Sequence, residues 1–204
     1  MSKNEDYSKL ASTSVSDAMD GLNHMNVSIK PLDENWRIVG KAFTVQVPQG
    51  ENLSILEAID QANPGDVLVI DGKGDMHNAL AGDFVLGMAK KLNIQGMIVD
   101  GVIRDKKASI ELGFPVFCKG TVPAAGRKAS RGQVNVPIQC GGVIVRPGDL
   151  IVGDVDGVVV VPREDIEAVT KKALNKMVLD DERERIVNAD EQSVRKHLAK
   201  VLGK

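Results

Sequence analysis

The chain has 204 residues, and its 26 Lys and Arg residues against 28 Asp and Glu residues give a formal net charge of -2. This near-neutral balance lacks the positive field that drives binding to phosphate backbones, so direct nucleic-acid binding is not expected. Six aromatic residues leave little material for stacking bases or sugars. The chain is long enough to bury a core, and no run approaches the ~20 apolar residues of a membrane span.

Two features concern the cellular setting. Residues 1–6 are polar and contain no apolar core of a signal peptide. The two cysteines, Cys118 and Cys140, are too few for a disulfide framework and lack the spacing of a zinc knuckle. We therefore expect a cytoplasmic protein that does not bind membranes.

Short β-branched runs alternate with helical patterns in the first 162 residues. The patterns predict strands at 38–47, 67–70, 97–99, 115–117 and 158–161, and helices at 53–61 and 84–92. Alternation of this kind predicts a mixed α/β domain.

The charge density rises after residue 162, where 42 residues carry 19 charges. Ile166, Val169, Ala173 and Met177 recur at helical spacing, and a similar set follows from Val194. We therefore divide the chain into a core, residues 1–162, and a C-terminal helical extension, residues 163–204. The extension is interpreted as solvated amphipathic helices, with a partner-binding arm as the alternative.

A strand followed by Gly72-Lys73-Gly74 resembles the start of a nucleotide or S-adenosylmethionine loop. The third glycine of the dinucleotide fingerprint is missing, because His77 occupies its position. The pattern instead indicates a tight strand exit at which the backbone can approach a ligand.

Gly82 and Asp83 open the second predicted helix. The start of a helix offers unpaired amides and the positive end of the helix dipole, which suit a small carboxylate. The amides of Phe84 and Val85 are the ones expected to be free. The alternative is that Asp83 only caps the helix.

The next predicted strand leads into Arg104 and Asp105. Arg104 could hold the same anion through a bidentate contact. Asp105 offers a hard oxygen ligand for Mg²⁺ or Mn²⁺, and Asp83 could reach a water on that metal. A surface ion pair between Arg104 and Asp105 is the alternative.

The chain resembles the sequence pattern of the RraA-like family at Asp83, which is followed after twenty intervening residues by Arg104 and Asp105. This family unites the regulators of ribonuclease activity A with 4-hydroxy-4-methyl-2-oxoglutarate aldolases. Further segments that resemble it are 14–19, 40–45, 99–105, 113–117 and 148–162. The resemblance extends over roughly residues 10–165.

The resemblance implies a three-layer β/β/α swivelling fold and a homotrimer or hexamer with active sites at subunit contacts. It also implies pyruvate aldolase chemistry that depends on a divalent metal cation, Mg²⁺ or Mn²⁺. In that chemistry Asp105 binds the metal, Arg104 binds the pyruvyl group and stabilises its enolate, and Asp83 positions a metal-bound water that protonates the enolate. The segment implied to contact pyruvate is Gly82, Asp83, Phe84 and Val85.

The leading hypothesis is therefore a lyase that cleaves 4-hydroxy-4-methyl-2-oxoglutarate-type 2-oxo acids to pyruvate and decarboxylates oxaloacetate. Family aldolases draw further acids from a neighbouring subunit, and Asp20, Glu34 and Glu51 are open candidates for that role. The alternative is a non-catalytic regulator of a ribonuclease, in which the scaffold would matter more than the pocket.

Overall fold

Residues 7–204, the part of the chain that the computed structural model describes, contain ten strands and six α-helices. The strands are β1 Lys30–Pro31, β2 Ile38–Gln46, β3 Val67–Asp75, β4 Gly96–Ile103, β5 Val116–Thr121, β6 Gln133–Val134, β7 Ile138–Cys140, β8 Val143–Val145, β9 Leu150–Asp154 and β10 Gly157–Val161. The helices are α1 Ser12–Ala18, α2 Leu53–Gln61, α3 Asp83–Lys91, α4 Lys106–Leu112, α5 Ile166–Val187 and α6 Glu191–Val201. The polar segment 1–6 lies outside the described residues.

The main sheet has the strand order β1-β5-β4-β3-β2-β9-β10. Strand β6 pairs with Val45 and Gln46 at the end of β2, beyond the residues of β2 that pair with β9. Strands β2 to β5 are parallel and are joined by crossovers through α2, α3 and α4. Strands β9 and β10 add an antiparallel hairpin. The parallel strands therefore end at one edge of the sheet, where binding residues commonly lie.

Side chains of the parallel strands alternate between two cores. Leu68 and Ile70 face α2 and α3, whereas Val67 and Val69 pack against β7 to β10. Both faces of the parallel part of the sheet, β2 to β5, are covered. Helices cover one face, and a β layer formed by β7 to β10 covers the other. The predicted β/β/α architecture with C-terminal helices is confirmed.

The five predicted strands and two predicted helices are all present. Strand β3 continues five residues beyond the predicted end, with an irregular register towards β4. Helices α1 and α4 and the β7–β8 hairpin were not predicted. Cys118 and Cys140 are free thiols buried in β5 and β7.

The C-terminal helices differ in how much they bury. Helix α5 buries Thr170 and Ala173, and its first half packs against α1. Helix α6 buries no residue, and Leu198, Val201 and Leu202 are half or more exposed. The division at residue 162 stays a prediction. Among residues 7–204, no helix is long and apolar enough to cross a membrane.

Candidate functional site

Backbone hydrogen bonds hold the segment before α3 against the end of β4. The Leu80 amide donates to the Val102 carbonyl at 2.9 Å, and the Arg104 amide donates to the Ala81 carbonyl at 3.0 Å. These bonds bring the two halves of the predicted site together, although twenty residues separate them in the chain.

Gly82 lies directly against Arg104 and Asp105. A Cβ atom built on Gly82 would lie 2.5 Å from Asp105 Oδ2 and 3.1 Å from both Arg104 Cγ and Arg104 Nε. A side chain at this position would displace the very groups that the sequence predicted to bind metal and anion. The missing side chain of Gly82 thus makes room for the charged pair.

Arg104 and Asp105 form an ion pair, with 3.2 Å between Arg104 Nε and Asp105 Oδ2. Both side chains remain about two-fifths exposed, at 44% and 40%. The backbone of Asp105 is left-handed, with φ of 58°, and Ser109 donates to its carbonyl from both amide and hydroxyl at 2.9 Å. A non-glycine residue held in this uncommon conformation is typical of functional sites.

The start of α3 differs in two respects from the prediction. Gly82 is the N-cap and Asp83 the first helical residue, so the interpretation of Asp83 as the cap is wrong. The first bond within the helix runs from the Leu86 amide to the Gly82 carbonyl at 3.0 Å. The Phe84 amide, predicted to be free, donates to Asp83 Oδ1 at 2.7 Å.

A cavity of about 710 Å³ opens beside these residues. Its lining consists of Asp83, Arg104, Asp105, Lys106, Lys107, Ala108 and Glu111. The wall therefore carries three cations and three carboxylates. Phe84 and Val85 are not in this lining, and the Phe84 side chain is 76% exposed beside a separate apolar groove between α2 and α3.

The carboxylates of this cavity suit a metal site that is open to water and substrate better than a site enclosed by protein ligands. Within residues 7–204, no group of three or more His, Cys, Asp or Glu side chains is placed to enclose a metal ion. Asp105 is accessible, and Asp83 lines the same cavity. Mg²⁺ commonly binds one or two carboxylates and takes its other ligands from water and substrate. These residues fit that mode, and metal binding at Asp105 stays a prediction.

Glu51 is a buried residue whose role the sequence did not indicate. Its carboxylate accepts bonds from Arg127 Nε at 3.1 Å, from the Ala129 amide at 2.7 Å and from the Ser130 amide at 3.2 Å. Burial alone would raise the pKa of the Glu51 carboxyl, but these donors outweigh it and hold the pKa below its ordinary value. Glu51 is therefore committed to contacts within its own chain.

The loop held by Glu51 supports the approach to the site. The Ala79 amide donates to the Ala124 carbonyl at 2.8 Å, and the Gly126 amide donates to the Ala79 carbonyl at 2.9 Å. Ala79 lies three residues before Gly82. Glu51 thus acts through residues 124–130 on the segment that leads into α3.

The missing side chain of Gly72 allows neighbouring parts of the protein to pack closely against the backbone. A Cβ atom at Gly72 would lie 2.4 Å from Leu80 Cδ1 and 2.6 Å from the Asp100 carbonyl oxygen. The groups that approach this glycine belong to the chain itself. Strand β3 continues through Gly72, Lys73 and Gly74, so the predicted strand exit is wrong, and a ligand approach at this segment stays a prediction.

Comparison with known proteins agrees with this architecture. The family described as RraA-like, Aldolase/RraA, matches residues 12–160. The chain belongs to the RraA-like family. A relative from Halalkalibacterium halodurans is 53% identical over 196 residues, which cover 96% of this chain and 93% of the relative. It is named "Putative 4-hydroxy-4-methyl-2-oxoglutarate aldolase".

Solved structures share the fold of this RraA-like chain. An uncharacterized protein from Pseudomonas syringae pv. tomato has a TM-score of 0.84 and 28% identity, covering 95% of this chain and 91% of its own. The RNA-processing inhibitor RraA from Thermus thermophilis has a TM-score of 0.70 and 26% identity, covering 76% of this chain and 93% of its own. The family thus contains proteins named for catalysis and proteins named for inhibition.

Proposed function

We propose that this RraA-like protein is a divalent-metal-dependent lyase. Its substrates would be 4-hydroxy-4-methyl-2-oxoglutarate-type 2-oxo acids, cleaved to pyruvate, with oxaloacetate decarboxylation as a second activity. The observation that carries the proposal is the junction of Gly82 with Arg104 and Asp105, which gathers an anion-binding cation and two carboxylates at one cavity. The aldolase name of the 53% identical relative supports the same reaction class.

Binding would begin with the carboxylate and 2-oxo group of the substrate. Arg104 offers its guanidinium to these oxygens, and the amides at the start of α3 add a second set of donors. The Phe84 amide is held by Asp83 Oδ1, so substrate binding would exchange this bond for one to the ligand. The pyruvyl half of the substrate would thereby be oriented against the wall that carries Asp105.

The reaction requires stabilisation of a pyruvate enolate. In the aldol cleavage, the 4-hydroxyl gives its proton to solvent, the C3–C4 bond breaks, its electron pair forms the enolate, and C4 leaves as the keto carbon of a second pyruvate. From oxaloacetate, the same enolate forms as carbon dioxide leaves. Arg104 would stabilise the developing oxyanion, and Asp83, through Oδ2, would hold the water that returns a proton to C3.

The metal supplies Lewis-acid stabilisation of the enolate oxygen when it is bound. Asp105 would hold it directly, and Asp83 lies at the same wall. The left-handed backbone of Asp105 fixes where this carboxylate points, because Ser109 holds its carbonyl from two donors. The exposed fraction of Asp105 leaves room for solvent and substrate oxygens.

Pyruvate release tests the proposal. Purified protein would be incubated with 4-hydroxy-4-methyl-2-oxoglutarate or oxaloacetate, with Mg²⁺ or Mn²⁺, and then with EDTA. Pyruvate should form with metal and stop with EDTA. Formation that is insensitive to EDTA, or no formation from either acid, would contradict the proposal.

A homotrimer or hexamer is also proposed. The support is the apolar groove between α2 and α3, about 600 Å³ in volume, which leaves Phe84 76% exposed and Leu92 48% exposed. Exposed apolar surface of this kind is typical of subunit contacts. Light scattering of the eluting protein should give three or six chain masses, and a monomer would contradict this assembly.

The second candidate is regulation of a ribonuclease, supported by the likeness to the RNA-processing inhibitor. A regulator would not need Arg104 or Asp105 to retain its function. Copurification with a ribonuclease that survives Asp105→Ala, together with absent pyruvate formation, would favour this alternative.

A further inference from the structure

The cavity offers more polar surface than the pyruvyl group requires. Arg104 and the start of α3 suffice for one carboxylate and its neighbouring oxo group. The rest of the wall is formed by Lys106, Lys107 and Glu111, with Ala108 as the one apolar residue of the lining. A second substrate group that meets this wall would be polar or charged.

The three cations of the wall differ in their partners. Arg104 is paired with Asp105, and Lys107 lies 3.9 Å from Glu111 on the next turn of α4. Within the described part of the chain, no carboxylate lies at ion-pair distance from the Lys106 ammonium. Lys106 is therefore the cation of this wall that has no carboxylate partner among the described residues and can pair with a ligand.

We infer that Lys106 binds the second carboxylate of the substrate and makes the site selective for 2-oxo diacids over 2-oxo monoacids. The inference rests on the proposed function. A charge-assisted bond between ammonium and carboxylate is among the stronger single contacts in a site. Lys106 acts on the half of the substrate that leaves, whereas Arg104 acts on the half that becomes pyruvate.

The test separates the two halves of the substrate. Exchange of the pyruvate methyl protons with D₂O, followed by proton NMR with Mg²⁺ present, requires the pyruvyl half alone. The kcat/KM for 4-hydroxy-4-methyl-2-oxoglutarate, whose second carboxylate keeps its charge when the C3–C4 bond breaks, requires both halves. Lys106→Met should lower the ratio of this kcat/KM to the exchange rate by about tenfold or more, mainly through a higher KM for 4-hydroxy-4-methyl-2-oxoglutarate.

Two further variants control the experiment. Lys106→Arg should restore most of the ratio, because it keeps the charge. Lys171→Met, which removes an exposed charge on α5, should leave the ratio unchanged. An unchanged ratio in Lys106→Met, or an equal loss in Lys171→Met, would overturn the inference. Wild-type protein that neither exchanges pyruvate protons nor cleaves 4-hydroxy-4-methyl-2-oxoglutarate would overturn the proposed function as well.

Discussion

Residues 82–105 carry six charged side chains in 24 positions, whereas residues 163–204 carry 19 in 42 positions. The less densely charged segment contains the candidate site. Five of its six charges lie at the ends of α3 and β4, and the sixth, Asp100, lies within β4. All eight residues of β4 are buried, but α5 buries two residues and α6 none. The buried element that carries a charged group therefore fixes the position of that group. Charge density by itself is a poor guide to the location of a candidate site.

The largest expected effect comes from removing one carboxylate in each region. Asp105→Ala should lower kcat/KM for pyruvate formation by about a hundredfold or more, because the proposed metal would lose its direct ligand. Asp180→Ala, which removes a carboxylate paired with Lys176 and Arg183 on α5, should leave activity unchanged. Steady-state kinetics of both variants provides the measurement. An equal loss of kcat/KM in both variants would contradict the distinction between the candidate site and the C-terminal helices.

Two glycines of the same helical region give the next largest contrast. Gly82→Ala should lower activity by about tenfold or more, because its Cβ would meet Asp105 Oδ2 at 2.5 Å. Gly87→Ala, within α3 and with no atom within 4 Å of its Cβ, should keep activity and raise the free energy of unfolding by about 0.5–1 kcal/mol. Kinetics and urea unfolding would report both. Full activity of Gly82→Ala would show that the charged pair tolerates displacement.

The support by Glu51 should produce a smaller loss of activity. Glu51→Gln removes the charge that holds Arg127 and two amides, so amide exchange in residues 124–130 should become faster and activity should fall by less than about tenfold. Slow exchange in these residues in the variant would contradict the role given to Glu51.

Glu51 also predicts a pH dependence. Its pKa is lower in the folded chain than the ordinary value of 4.5, so the ionised form favours folding. This contribution to stability is complete above pH 4.5 and is lost as the pH falls further, through the folded pKa. Thermal unfolding across acidic pH should show a smaller loss of Tm in Glu51→Gln than in the wild type.

The smallest effect is expected from the end of the chain. Deleting residues 189–204 removes α6, which buries no side chain. Tm should change by less than about 3 °C, and kcat/KM by less than about twofold. Calorimetry and pyruvate formation test both. A large loss of activity would show that the C-terminal helices contribute to the site.

The strands were predictable because buried parallel strands consist of β-branched runs, as β3 and β4 do. Helix α4 was missed, because it has only seven residues and its N-cap, Asp105, is in a left-handed conformation and makes no side-chain capping bond. The β7–β8 hairpin was missed because its strands have three residues each. Short elements depend on tertiary contacts that local patterns do not contain.

Residue type indicated Asp83, Arg104 and Asp105 as candidate site residues, and the resemblance to a family supported the same three. Their meeting in space depends on the bond between the Arg104 amide and the Ala81 carbonyl, which no local pattern specifies. Glu51 was named only as a candidate for an acid at a neighbouring subunit, and its supporting role could not be predicted, because its partners lie 76 to 79 residues further along the chain. The candidate groups could therefore be predicted from the sequence, whereas the contacts that support them became visible only in the fold.

Metal titration of the wild type and of Asp105→Asn tests the central claim most directly. Both proteins would be stripped with EDTA, titrated with Mn²⁺, and followed by pyruvate formation from 4-hydroxy-4-methyl-2-oxoglutarate. Activity should return in the wild type as Mn²⁺ is added, and Asp105→Asn should remain inactive at Mn²⁺ concentrations that saturate the wild type. Equal restoration in both proteins, or wild-type activity without metal, would contradict the account.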